Sequence, residues 1–385
     1  DHIGFQSNTI SNVQLNENQH LDLDTILLQT KVLQLGDLVV TATRSNRELM
    51  EVSQPMNVVS SARITEREAR TSAEALREET GLFVQKTNHG GGSAIIRGFS
   101  SNQILLLVDG IRLNNSTYRL GNHQYLTTVD QNMVEQIEVV RGPTSVLYGS
   151  DALGGTINLI TSKTAPLEER IGWQTGYRLF GRYASADNER TTRSEISIRN
   201  HSLALQTGFS VKDFDDLRRG ENSSHSALEN STNGLKQSPS GYKAYDFDSR
   251  LVYHPNPQQS VILAYQHSRQ VDVPRYDKYE NNNYYRWIYQ PQNRDLLYLI
   301  FENQSPLKFL TSWRAAVSFH RQEEGREIQK DNVSALTKEL DDVRTLGFTL
   351  QGSTIFHQHI FTVGSDMYLD DVNSTRTFVE PDGGA

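Results

Sequence analysis

From Trp173 onward the chain takes on a hydrophobic period of two, and this bounds its fold more tightly than any other feature. Trp173, Thr175, Tyr177, Leu179 and Tyr183 alternate with Gln174, Gly176, Arg178 and Arg182. Leu203, Leu205, Thr207, Phe209 and Val211 alternate with Ala204, Gln206, Gly208, Ser210 and Lys212. Tyr245, Phe247, Leu251 and Tyr253, and later Trp313, Ala315, Val317 and Phe319, repeat the pattern. Successive side chains of a strand point to opposite faces, so each segment carries one apolar face and one polar face. Two architectures use such strands. A sandwich buries the apolar face and wets the polar one. A membrane barrel puts the apolar face in lipid and the polar face in its lumen. Periodicity alone does not choose between them.

The connections favour the barrel. The pattern predicts roughly nine strands. Short links are expected at Asn200-His201, Pro255-Asn256-Pro257, Ser305-Pro306 and His357, and long polar links at 213–243, 270–293 and 322–341. Apart from a short link near 186–191, short and long alternate, as short turns on one side of a membrane and long loops on the other would. If residue 170 enters from the periplasm, every long link falls outside. No run of about eighteen apolar residues exists, so no transmembrane helix is expected. Hydrophobic residues make up only 36% of the chain, as suits a barrel in which only alternate residues face lipid. The net charge of −8 carries no basic block, which argues against nucleic acid as a partner. With no cysteine, disulfides, zinc–thiolate sites and thiol catalysis are excluded.

The first half reads differently. Residues 60–81 are expected to be helical, with Ala69, Ala73, Leu76 and Thr80 on one face, a capping box at Thr71-x-x-Glu74 and a stop at Gly81. Leu82–Gln85, Ala94–Gly98, Ile104–Val108, Gln136–Val140 and Thr156–Ile160 read as strands. The continuously apolar Ile104–Val108 is expected at the buried centre of one small sheet, and Asp109-Gly110 marks a turn. Residues 1–34 read as the last strands of a small β domain. Asp1 is preceded by no visible signal peptide and Pro-Asp-Gly-Gly-Ala follows a strand, so an internal fragment is expected.

Several motifs carry a resemblance to TonB-dependent outer-membrane receptors. They are Ile96-Arg97-Gly98, Val108-Asp109-Gly110-Ile111-Arg112, and the run from Glu138 to Ile160, which resembles the end of the family's plug. The fold this implies is a mixed α/β plug domain followed by an antiparallel transmembrane β-barrel, incomplete here at about nine of about twenty-two strands. The implied division is 1–34 as the end of a carboxypeptidase-regulatory-like β domain, 35–45 as TonB box and linker, 46–165 as plug, and 166–385 as the first part of the barrel. The branch it most resembles takes iron complexes, haem or cobalamin and is Bacteroidota-like.

By that resemblance the chain serves uptake of a scarce nutrient, with a ferric siderophore or haem as cargo. The partners implied are TonB with its inner-membrane energising complex, outer-membrane lipid and a metal chelate. No covalent chemistry, resident cofactor or resident metal is implied. Asp37, Leu38, Val39, Val40, Thr41 and Ala42 resemble the TonB box, a β-prone segment able to add to a partner sheet. Lys86, Asn88 and His89, and Asn114, Tyr118, Arg119 and His123, fall where the family's plug apices face substrate. The aromatic run with Tyr284, Tyr285 and Trp287 suits either stacking on a flat ligand or an interfacial girdle. Arg97 and Arg141, each before a glycine, are expected to pair with inward barrel carboxylates. Gly90-Gly91-Gly92 is not a phosphate loop, because no Gly-Lys-Ser/Thr follows. Tyr148-Gly149-Ser150-Asp151 lacks the spacing of a nucleophile elbow. The remaining alternatives are cobalamin or glycan uptake by the same kind of receptor, and a soluble envelope protein with an α/β domain on a β-sandwich.

Overall fold

The computed structural model describes residues 52–118, 121, 123–167, 172–218, 236–279, 283–304, 310–357 and 359–380, with two short strands upstream, β1 (Leu38–Val39) and β2 (Arg47–Glu48). The expectations for 1–34, and for Asp37, Val40, Thr41, Ala42 and Arg119, lie outside the described residues. β1 and β2 pair antiparallel, Leu38 opposite Glu48 and Val39 opposite Arg47.

The N-terminal domain is built on two sheets rather than one. The larger contains β3 (Met56–Ser60), β7 (Ile104–Val108), β8 (Ile111–Arg112), β9 (Val134–Arg141) and β10 (Gly155–Thr161), in the order β3-β9-β10-β7-β8. β4 (Leu82–Gln85), β5 (Ser93–Ile96) and β6 (Phe99–Ser100) form a separate three-stranded sheet. All five residues of β7 are buried, as its apolar run requires, but the centre of the sheet is β10. β7 pairs parallel with β10 and turns back through Asp109 (φ 50°) and Gly110 (φ 79°) into β8. Two successive left-handed residues twist a hairpin the right way, and Asp-Gly supplies them at low cost.

The single helix expected over 60–81 is broken. α1 covers Ser61–Glu66, with Ser60 as its N-cap accepting from Arg63 N. Glu68 then enters the left-handed region at φ 50°, and only a short 3₁₀ turn, Glu74–Leu76, follows. The capping box is displaced by one residue. Thr71 Oγ1 accepts from Glu74 N at 3.2 Å, but Glu74 Oε2 accepts from Arg70 N at 3.0 Å.

The second half is one meandering antiparallel sheet of long strands. They are β11 (Gln174–Ala184), β12 (Glu189–Arg199), β13 (Leu203–Phe214), β16 (Tyr242–Asn256), β17 (Gln259–Val271), β19 (Arg286–Asn303), β20 (Ser312–Gln329), β21 (Leu336–Phe356) and β22 (His359–Val379), each beside the next. Two smaller pieces decorate one end. β14 (Leu217–Arg218) pairs with β15 (Lys236–Gln237), and β18 (Val273–Pro274) pairs with β19. The short links expected at Asn200-His201, Pro255-Asn256-Pro257 and His357 fall on the side where the chain arrives from β10, while the one expected at Ser305-Pro306 lies outside the described residues. The long link expected at 322–341 is instead strand on both sides of a short turn, Lys330–Ala335. There the extended backbone is held by charge pairs, Arg326 with Asp341 at 3.0 Å and Lys338 with Glu327 at 3.4 Å, so ladder continues where apolar alternation has stopped. β19 likewise starts at Arg286, inside the link expected over 270–293.

The sheet wraps the N-terminal domain. Arg182 of β11 donates to Ala69 O at 3.2 Å, and Asp370 of β22 accepts from Ser116 N at 2.7 Å, so the first and last strands both touch it. Even-numbered residues of β13, such as Ala204, Gln206 and Ser210, are buried against that domain, while Phe209 is 48% exposed on the outer face. Leu263, Leu297, Leu299, Val317, Phe319, Leu346 and Phe348 are exposed on the same outer face. A sandwich would bury these residues in a second sheet. Here an enclosed domain takes the polar face, which leaves the outer apolar band for lipid. Tyr245 and Tyr253 bracket that band on β16. At about 3.3 Å per residue they stand about 26 Å apart along the strand, or about 20 Å along the membrane normal at a tilt of about 40°, close to the height of a lipid-facing band.

Candidate functional site

Among the contacts that join the inner domain to the wall, three clusters each begin from a short polar feature of the inner domain. The first is the β7–β8 turn. Asp109 Oδ2 accepts from Arg250 Nη1 at 2.8 Å, from Thr161 Oγ1 at 2.6 Å and from the Tyr298 hydroxyl, while its Oδ1 accepts from Thr161 N at 3.0 Å. Arg314 donates to the Asp109 carbonyl at 2.9 Å. β16, β19 and β20 therefore all grip one turn. Burial would raise the Asp109 carboxyl, but Arg250 and the hydrogen bonds hold it below its ordinary range.

The second place is Asp130, on the bend before β9. Its carboxylate accepts from Lys212 Nζ at 2.8 Å, Ser210 Oγ at 2.6 Å and Arg193 Nη1 at 3.4 Å. Arg193 also bridges to Asp248 at 2.8 Å, and Lys212 to Asp246 at 3.0 Å. Room for the Arg193 guanidinium comes from Gly208, where a Cβ would stand 2.1 Å from Nη2. Against the cost of burial, Lys212 and Arg193 keep the Asp130 carboxyl well below the usual carboxylate range. Charge-assisted bonds between buried partners of this kind are strong and cannot be broken one partner at a time without a large cost.

The third place is the loop after β4. His89 is buried, with Nε2 3.1 Å from Asp187 Oδ2 in the β11–β12 turn. Arg70 approaches Asp187 at 3.4 Å and Glu189 at 3.3 Å. The imidazole meets Phe214 and Tyr242 edge-on, at 5.1 and 5.5 Å between centroids. Gln270 Nε2 donates to Gly90 O at 3.2 Å.

Above this loop lies an aromatic cluster of Phe214, Tyr242, Val273, Trp287 and Tyr289, with Tyr279 and Tyr284 packed on it. Arg275 stacks over Trp287 at 4.9 Å. A break in the β19–β20 register between Tyr289 and Gln292 turns Trp287 and Tyr289 inward, so Trp287 is a lumen residue and not part of a lipid girdle. Tyr285 is exposed and Tyr284 half-buried.

The apex residues singled out in the sequence sit deeper than loop tips. Asn88, His89, Asn114, Tyr118 and His123 are all buried. Lys86 is half-buried and paired with Glu74. Asn114 holds its own sheet, accepting from Leu106 N at 2.8 Å and donating to Ile104 O at 3.0 Å. Tyr118 and His123 both stack on Tyr125, at 4.0 and 4.7 Å. Burial pushes the Tyr118 phenol well above its ordinary range, so it stays a neutral donor.

At the Asp109 and Asp130 clusters the charges are the reverse of those expected for Arg97 and Arg141. Among the described residues neither Arg97 nor Arg141 meets a barrel carboxylate. Arg97 is exposed, and Arg141 donates to Thr80 O at 3.2 Å within its own domain. The inner domain supplies the acids, Asp109 and Asp130, and the wall supplies Arg193, Lys212 and Arg250. The sequence marks Asp109 only as a turn residue and Asp130 not at all. The signal available was an acid in the inner domain together with cations on the polar stripe of the strands.

Residues 48–156 match the family described as TonB-dependent Receptor Plug Domain. The chain is 38% identical over 148 residues to a protein named vitamin B12 transporter BtuB of Vibrio vulnificus (strain CMCP6), covering 37% of this chain and 24% of that one. It is 31% identical over 202 residues to a hemin receptor of Yersinia pestis, covering 52% of this chain and 29% of that one. The match thus spans under a third of either relative. Among solved structures, the copper transporter OprC is similar with a TM-score of 0.65 at 16% identity, over 86% of this chain and 49% of that one. The alcaligin outer-membrane receptor FauA from Bordetella pertussis gives 0.61 at 15% identity, over 89% and 51%. At these identities the structural likeness bears on fold alone, and that fold is the enclosed domain and lipid-facing wall described above. Residues 48–156 are thus a TonB-dependent receptor plug domain, and in its related receptors and its architecture the chain is similar to TonB-dependent outer-membrane receptors.

Proposed function

We propose that the receptor to which this chain belongs imports a scarce metal chelate, a ferric siderophore or haem, across the outer membrane. The observation that carries this reading is a folded plug held inside a lipid-facing wall by ion pairs at two turns, Asp109 and Asp130. A permanent stopper needs no such reversible fastening, whereas a transporter must release and reseal it. The division at 46–165 and 166–385 follows the same logic: one part closes the lumen and the other makes it. TonB, energised from the inner membrane, would pair with the segment Asp37–Ala42 and pull. The cargo would meet the loop end of the lumen, where Trp287, Tyr284 and Tyr285 offer flat surfaces and Arg275 a cation, above the segments that carry Lys86, Asn88, His89, Asn114, Tyr118 and His123; Arg119 is proposed for the same role from its sequence position alone. No step needs covalent chemistry, so the protein acts as a transporter and not as an enzyme.

Cobalamin is a second cargo, favoured by the 38% identity to the protein named as a vitamin B12 transporter. The test is a deletion strain that depends on one supplied source at a time. Restoration of growth on haemin or a ferric siderophore by the full gene, and its loss when TonB is removed, is the expected result. Growth restored only by cyanocobalamin moves the cargo to the second reading. Restoration without TonB overturns the transport mechanism.

A further inference from the structure

The inner domain is not held equally on all sides. Toward β12, β13 and β16 its contacts are charged and matched: Asp130 with Arg193, Ser210 and Lys212, and Arg193 in turn with Asp248. Toward β17, β19 and β20 the wall presents mostly neutral polar side chains. Gln270 stands opposite Gln292, Ser268 opposite Arg294, and Leu296 opposite His320. All six are buried. Among the described residues both side-chain ends of Gln292, His320 Nε2, Gln270 Oε1 and Arg294 Nη1 have no hydrogen-bond partner. The facing surface of the inner domain behaves the same way, with both ends of Asn88, Gln124 Oε1 and the Tyr118 hydroxyl unpartnered. Few direct bonds cross here: Gln270 to Gly90 O at 3.2 Å, Arg294 to Thr128 O at 3.2 Å and Asn115 to Gln322 at 3.3 Å.

Buried polar atoms without protein partners are costly unless water meets them. Unpartnered atoms occur on the other wall too, such as Arg193 Nε, Asp246 Oδ2 and Glu189 Oε2, but there they sit on side chains already held in ion pairs. Those named along β17–β20 sit on amides, an imidazole and an arginine with no ion pair among the described residues, and this difference divides the interface into a wet side and a bolted side. The wet side ends at the Asp109 turn, where Arg250, Tyr298 and Arg314 close across it.

We propose that plug and barrel part along the β17–β20 wall. There a hydrated polar seam admits a hydrophilic solute from the loop end, and the Asp109 cluster forms its floor. Opening needs one turn to be released, while the Asp130 side keeps the plug attached and able to reseal. The inference rests on the outer-membrane reading above but on no particular cargo.

Thiol labelling of the full receptor, with any cysteine outside this segment replaced by serine, is the probe, since this segment has no cysteine of its own. Single variants Q292C and S268C place a thiol in the seam, S318C below its floor at the level of Tyr298, and S210C on the bolted wall. V333C, 75% exposed in the β20–β21 turn, reports access from outside. Intact cells are treated with a small anionic methanethiosulfonate. Q292C and S268C should react at least tenfold faster than S210C. Adding D109N should speed S318C at least tenfold and leave S210C unchanged. Equal labelling of seam and bolted wall overturns the proposal, as does a D109N background that exposes S210C as much as S318C. Seam thiols that stay unreactive while V333C labels also overturn it. An unreactive V333C on an expressed receptor would instead strike at the outer-membrane reading itself.

Discussion

At the scale of single residues, the account turns on two aspartates. Asp130 is buried and faces two cations, so Asp130→Ala leaves Arg193 and Lys212 without their shared acid. Breaking a buried pair in this way costs about 3–5 kcal/mol. The expected outcome is a plug that becomes sensitive to protease while the barrel stays intact, read by limited proteolysis of the full receptor. Gly208→Ala reaches the same site indirectly. Its Cβ would displace the Arg193 guanidinium, an overpacking that costs about 1–3 kcal/mol. Both aspartates have folded pKa values below the ordinary carboxylate range, near 4 in an unfolded chain. Their stabilisation is therefore complete above that range and is lost as pH falls through the depressed folded values. Plug protection should stay flat from pH 7 to pH 5 and fall only in stronger acid; a fall between 7 and 5 would assign the fastening to other groups. These two residues were poorly legible in the sequence because an anchor is a relation between distant positions. Asp130 and Lys212 are 82 residues apart, and no local pattern joins them. Arg97 and Arg141 stood out only because each precedes a glycine, a local feature that says nothing about what lies across the lumen.

At the scale of elements, the strands of the second half were readable and the helix of the first was not. Alternation survives in β13 and β16 because one face must meet lipid and the other the plug, so every residue is constrained. In 60–81 the apolar spacing is set by burial in a small irregular domain. Ala69, Ala73 and Leu76 are buried, but Glu68 in the left-handed region cuts all three off from α1, and of them only Leu76 lies within the 3₁₀ turn. The outer part of β20 and β21 reads as loop for the opposite reason. Beyond the lipid band no face needs apolar residues, and strand pairing there is carried by Arg321, Arg326 and their acids. The element with the sharpest functional prediction is β1. Val39→Pro removes a backbone donor and fixes φ in a segment proposed to add to a TonB sheet. Energy-dependent uptake should be abolished while cargo binding to cells is retained. Unchanged uptake would exclude Asp37–Ala42 as the coupling segment.

At the scale of the whole molecule, the inside-out distribution of side chains is the central claim. The apolar residues of the strands face away from the protein, and the polar ones face a folded domain in the lumen. The β7–β8 turn, the Asp130 bend and the loop at His89 then become fastenings between two bodies, and the aromatic cluster at Trp287 becomes the mouth above them. The most direct test is site-directed nitroxide labelling of the full receptor in lipid bilayers, with collision rates measured for oxygen and for a water-soluble nickel chelate. Labels at Phe209, Leu263, Val317 and Leu346 are predicted to collide freely with oxygen and to be shielded from nickel. Labels at Gln206, Gln266 and Ser318 should show low oxygen access. Low oxygen access at the first four positions, equal to that of the last three, would contradict a lipid-facing wall around an enclosed plug.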